Sequence, residues 1–176
     1  MHRLQAIADR IDSVIDHLGH ILSWLVGFTV VVCAAVAILR YTLGLGWVWM
    51  QDAYVWANAA LFMLGAAPTL LHGKHVRVDF VYGARSQRYR AIVDLLGSVF
   101  LLMPSLIAIF VLSFPYVRDS WRRLEGTLDV GGMPGVFLIK SVLLLFCLPL
   151  AAQGLSLAIR SYIRLAAPDL ARSRDA

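Results

Sequence analysis

The side chains that could bind a metal, move a proton or attack a substrate are few here, and they are poorly grouped. The histidines are His2, His17, His20, His72 and His75, and the cysteines are Cys33 and Cys147. His75 and Asp79 stand four apart with no further ligand beside them, whereas a zinc site needs three or four. The two cysteines form no Cys-x-x-Cys pair. Each lies in an apolar run, where a thiol packs as a small hydrophobe. No nucleophile triad, phosphate-cradling glycine loop or dinucleotide fingerprint is present. The chain therefore reads as a non-enzyme without a cofactor. Its densest polar run, His75-Val76-Arg77-Val78-Asp79-Phe80, alternates polar and apolar residues. That pattern fits an extended segment with two unlike faces, or equally a loop on a membrane surface.

The elements that must position these residues are unusually clear. Four stretches contain no Asp, Glu, Lys, Arg or His: residues 21–39, 53–71, 95–117 and 141–159. All 16 basic and 11 acidic side chains lie outside them. About 20 apolar residues at 1.5 Å rise cross a hydrocarbon core of roughly 30 Å. The expected fold is all-α: an integral membrane protein with four transmembrane helices, preceded by an amphipathic N-terminal helix over 1–20. The whole of 1–176 forms a single membrane domain, with a basic tail over 160–176 and no soluble domain attached. Intramembrane charges usually mark ion or proton pathways, and these spans have none, which argues against a self-sufficient proton-coupled carrier. No histidine lies at membrane depth, where a cytochrome-type subunit would hold haem. No clear inverted repeat or pair of broken helices marks a transport site.

In a soluble chain the net charge of +5 would point to nucleic acid. Here the basic residues flank the spans, where they set orientation and meet anionic lipid, so membrane lipids are expected partners and nucleic acid is not. The amino end, second loop and tail hold eleven Lys and Arg; the first and third loops hold five. The positive-inside rule then puts both termini in the cytoplasm. Residues 1–20 include Asp9, Asp12 and Asp16 and make a poor signal-peptide leader, so the first span is expected to remain uncleaved. Leu4, Ile7, Ile11, Val14, Ile15 and Leu18 recur every three or four residues, which predicts an amphipathic helix. It either lies in the interface, or on a partner, or continues span one.

Tyr41, Trp47 and Trp49 in the first loop suit headgroup depth, and Gly44 and Gly46 permit a turn there. Span two is rich in small residues (Ala53, Ala57, Ala59, Ala60, Gly65, Ala66, Ala67), which let helices approach closely in lipid. Its Asn58 is placed to bond a neighbouring helix. Pro68, Pro104, Pro115 and Pro149 free backbone carbonyls and can kink their helices. Gly131-Gly132-Met133-Pro134-Gly135 requires a turn before span four.

From about Arg40 to about Arg160 the sequence resembles the small, four-span (Q-type) permease subunit of tripartite ATP-independent periplasmic (TRAP) transporters. The resemblance rests on Trp49-Met50-Gln51-Asp52 with Leu61 to Ala67 after it, and on His75 to Phe80. Gly131 to Pro134 leading to Leu138-Ile139-Lys140-Ser141, and Leu148 to Leu155, complete it. Asp52 stands where a glutamate is more usual, and Pro68 departs from the pattern. The resemblance implies a bacterial inner-membrane complex. A periplasmic substrate-binding protein delivers an organic acid, often a carboxylate, and a large permease subunit carries it inward by sodium symport. This chain would support that subunit as an accessory scaffold without substrate or metal sites of its own. Expected partner-interface residues are Gln51, Asp52, Asn58, His75, Arg77, Asp79, Gly132 and Pro134, together with the small-residue face of span two. Arg77 and Asp79 are expected to pair with each other or with the large subunit, and Glu125 and Asp129 to face the binding protein. A membrane anchor for a redox complex and an independent small channel are the alternatives.

Overall fold

The computed structural model describes residues 2–73 and 86–166. They form α1 (His2–Leu43), α2 (Val48–Leu64), α3 (Ala66–Leu71), α4 (Gln87–Leu96), a π-helical turn (Gly97–Leu102), α5 (Met103–Arg123), α6 (Val136–Leu145) and α7 (Cys147–Ala166). These group into four helices long and apolar enough to cross a membrane: His2–Leu43, Val48–Leu71, Gln87–Arg123 and Val136–Ala166. Among the described residues there is no strand. The helices run well beyond the charge-free stretches, because the polar residues at their ends satisfy the helix geometry without entering the apolar layer.

The N-terminal segment is continuous with span one. α1 runs unbroken for 42 residues, about 63 Å at 1.5 Å per residue. Its buried seam consists of Ala8, Ile15 and Leu22, with Asp12 and Gly19 half-buried on the same face, not the full apolar stripe: Ile7 and Val14 remain exposed. Antiparallel packing against α7 selects the first part of this seam, where Ala8 meets Ser156, and Gly19 further along meets Pro68 of α3. α1 ends at a left-handed Gly44, φ +66°, with the Leu45 N–H donating to the Leu39 carbonyl at 3.2 Å. This bond reaches six residues back across the last turn and closes the helix end, with the positive φ on a residue that has no Cβ penalty.

Three of the four spans are interrupted next to a proline. α2 gives way to α3 at Gly65, three residues before Pro68. α6 gives way to α7 at Phe146, three residues before Pro149. In span three the π-helical turn ends just before Met103-Pro104. Proline has no N–H to donate and its ring crowds the carbonyl four residues back; a widened or reset turn relieves that crowding. Spans two and four thus carry matching interruptions that the sequence alone did not make evident.

Span four is the centre of the bundle. It packs on span one (α1 with α7), on span two (α3 with α7, α2 with α6) and on span three (α4 with α7, α5 with α6). A third of its most apolar stretch is buried (33%), against 11% in spans one and three. Most of the buried positions are small, among them Ala8, Ala57, Ala67, Ala91, Ser98, Gly154, Ser156, Ala158 and Ser161. In lipid, contact between helices comes from close backbone approach, which small side chains permit. A Cβ on Gly154 would come within 2.6 Å of Leu102 Cδ2, and one on Gly19 within 3.1 Å of Pro68 Cβ. The small residues of span two are accordingly used inside this chain, with Ala57, Ala67 and Pro68 buried.

Candidate functional site

The functional residues collect at the two ends of the bundle. At one end the start of α1 meets the end of α7, so both ends of the described chain lie together. Asp12 is the hub. Its Oδ1 accepts from Ser156 Oγ at 2.6 Å and Gln153 Nε2 at 3.1 Å. Its Oδ2 accepts from Arg160 Nε at 2.9 Å and from a terminal guanidinium nitrogen. The same guanidinium reaches Asp9 Oδ1 at 2.8 Å. Asp12 precedes the first charge-free stretch by nine positions, yet it sits beside two residues inside the fourth. Five donated hydrogen bonds hold α1 and α7 in one register. A charge taken out of water needs such partners. Nearby, Asp16 Oδ1 lies 3.1 Å from His72 Nε2, tying α1 to the residue after α3.

At the opposite end, Asp52 in the first turns of α2 reaches across to the loop before span four. Its Oδ2 accepts the Met133 backbone N–H at 2.9 Å. A Cβ on Gly132 would stand 2.8 Å from that oxygen and would also overlap Thr127. Glycine is required here by close approach. Gly131 and Gly135 are required by left-handed backbone, φ +82° and +115°. Asp52 and the Gly132–Pro134 turn, singled out separately in the sequence, are therefore one contact.

The same loop is tied down on its other side. Glu125 Oε2 accepts from Ser120 Oγ at 2.7 Å and from Lys140 Nζ at 2.5 Å. Lys140, only 14% exposed at its side chain, also lies over the Tyr116 ring, 4.1 Å from its centroid. The hydrogen bond from Lys140, then that from Ser120, holds the Glu125 carboxyl below its ordinary value. Trp121 Nε1 donates to Ser141 Oγ at 2.7 Å and packs edge-on against Phe137, centroids 4.6 Å apart. Glu125 thus spends its carboxylate inside the chain. Asp129 is exposed at the tip between Leu128 and Val130, whose side chains are almost wholly in the open.

Of the remaining predicted residues, Tyr41, Trp47 and Trp49 are exposed at this same loop end. Gln51 is half-buried and Pro134 exposed. Asn58 is exposed in mid-span and makes no hydrogen bond to another helix among the described residues. With Val55 and Phe62, 51% and 81% exposed, it forms one outward stripe of α2. His75, Arg77 and Asp79 lie outside the described residues.

Residues 28–164 match the family described as tripartite ATP-independent periplasmic transporters, DctQ component. The chain belongs to the DctQ family. The match begins within span one, takes in the other three spans almost whole and both connections at the loop end, and it identifies the small permease subunit of a TRAP transporter. No curated protein and no solved structure matches the chain. The DctQ family is a component family of tripartite transporters. What sequence reasoning missed is the Asp12 hub. Gln153, Ser156 and Arg160, spaced three and four apart, put two polar groups and a cation on one face of the last span, and that spacing was the available signal.

Proposed function

We propose that this DctQ subunit is a non-transporting frame. In this reading it supports a large permease subunit in sodium-driven uptake of an organic acid delivered by a periplasmic binding protein. The observation that carries the reading is the Val55–Asn58–Phe62 stripe. An amide facing hydrocarbon without a partner costs several kcal/mol by transfer estimates. A polar partner on another helix removes that cost, so this face is the docking surface for the large subunit. The charge-free spans support the same division of labour, since the coupling ions would then be handled elsewhere.

Both termini lie in the cytoplasm on the Lys and Arg distribution. The Asp52–Met133 end then faces the periplasm. There the tip Leu128-Asp129-Val130 offers two exposed apolar side chains and a carboxylate to the binding protein. Co-purification in mild detergent tests the frame reading: the large subunit should be retained by the unaltered chain. Uptake by this chain alone in liposomes, or haem or quinone in its absorbance spectrum, would reject it.

A further inference from the structure

A cavity of about 340 Å³ opens where α1, α3, α4 and α7 converge at the termini end. Its polar lining includes Arg90, Arg160 and Arg164 against Asp12 and Asp94. Leu70 and Leu157 supply an apolar wall. The cavity's depth follows from the sequence. Asp94 and Arg160 are the first charged residues outside the third and fourth charge-free stretches, and Leu71 closes the second. Three helix ends therefore place the arginines at headgroup level, with the leucines on the hydrocarbon side.

The charges in this cavity are partly committed. Asp12 is taken up by Arg160, Ser156 and Gln153. Arg160 uses Nε and one terminal nitrogen in its bonds to Asp9 and Asp12, which leaves its other terminal nitrogen outside them. Arg164 makes no ion pair among the described residues. With Asp9 also drawn onto Arg160, the three arginines face three carboxylates, and Arg164 is the guanidinium that makes no ion pair among the described residues. One open guanidinium suits a monoanion. A phosphate dianion would meet Asp94 as well.

We propose that this cavity binds the phosphodiester of an anionic glycerophospholipid headgroup, phosphatidylglycerol being the simplest case. Arg164 is the principal contact, and the first acyl methylenes lie along Leu70 and Leu157. Guanidinium groups present paired donors to phosphate oxygens, and basic pockets between membrane helices suit lipid headgroups. The proposal does not depend on which side of the membrane the termini face, because each leaflet has a headgroup layer.

The test uses the full chain purified in mild detergent. Retained lipid is read by native mass spectrometry, and melting is followed with phosphatidylglycerol, phosphatidylcholine or inorganic phosphate added. Phosphatidylglycerol should be retained and should raise the melting temperature, and phosphatidylcholine should do neither. Arg164→Gln should weaken phosphatidylglycerol binding by about fivefold or more, whereas Arg122→Gln at the other end should not. Equal effects of the two lipids would overturn the proposal, as would undiminished binding by Arg164→Gln or equal loss in Arg122→Gln. Stabilisation by inorganic phosphate matching that by the lipid would make this a soluble-anion site instead. The lipid preference of the unaltered protein needs no variant and decides the matter even if Arg164→Gln folds poorly.

Discussion

The Asp12 carboxylate and the Arg160 guanidinium are 148 positions apart in the chain and 2.9 Å apart in space. Their pairing joins the first helix to the last. Asp12 is mostly buried, 16% exposed at its side chain, and Arg160 is 41% exposed. Removing Asp12 therefore leaves the guanidinium to Asp9 and to the water that still reaches it, strands the buried Gln153 amide, and leaves the buried Ser156 hydroxyl only the Ala8 carbonyl at 3.4 Å. Asp12→Ala should destabilise the chain by about 1–3 kcal/mol. Combined with Arg160→Gln, the loss should fall clearly short of the sum of the two single losses. Thermal unfolding in detergent measures this cycle; strict additivity would show that the pair contributes nothing as a pair.

Gly132 and Asp52 make a second long-range contact with a different logic. A methyl group at Gly132 collides with the carboxylate that holds the Met133 N–H. Gly132→Ala should cost about 1–3 kcal/mol through overpacking. In an Asp52→Ala background one of the two obstacles is gone, Thr127 remaining, and the same substitution should cost less. Melting temperatures of the four proteins decide this. An equal cost in both backgrounds would place the clash with Thr127 alone.

The Glu125–Lys140 pair predicts an acid-sensitive loop. Hydrogen bonds from Lys140 and Ser120 lower the Glu125 pKa from its ordinary 4.5. Folding then favours the ionised form, and this stabilisation is complete above the ordinary value. It fades as pH falls from about 4.5 through the lower folded value. Melting followed from pH 7 to pH 3 should show Glu125→Gln less stable than the unaltered chain at neutral pH, with the difference narrowing toward the acid end. Parallel curves over the whole range would contradict the assignment.

The spans were legible because a bilayer imposes a length and forbids charge, and both constraints act on single residues in order. Gly44 and the Gly131–Gly135 cluster were legible because positive φ restricts residue type. The continuity of α1 was not. Apolar residues every three or four positions read the same in an interfacial helix and in an extension of span one, and only the antiparallel partner, α7, decides between them. The Asp12 hub stayed hidden for a related reason. An aspartate nine residues before an apolar run resembles a solvated one until the offset between α1 and α7 brings it beside Gln153 and Ser156. Asp52 and Gly132 were each selected by motif, but nothing in local pattern joins residues 80 positions apart.

The outward stripe of α2 gives the prediction that bears most directly on function. Val55, Asn58 and Phe62 occupy positions i, i+3 and i+7, one face of a helix, and that face is exposed along this chain. If lipid covers it, replacing the amide by an apolar group of similar size should be neutral or favourable, because the desolvation cost vanishes. If the large subunit covers it, the same replacement removes a hydrogen bond and strands its partner, at about 1–3 kcal/mol. Asn58→Leu should therefore leave the melting of the isolated subunit unchanged or raised, while reducing co-purified large subunit and uptake by the reassembled transporter. Phe62→Ala should weaken the same association through lost packing and serves as an independent probe of the face. Retention of the large subunit by both variants at the unaltered level would assign this stripe to lipid and move the docking surface to another helix.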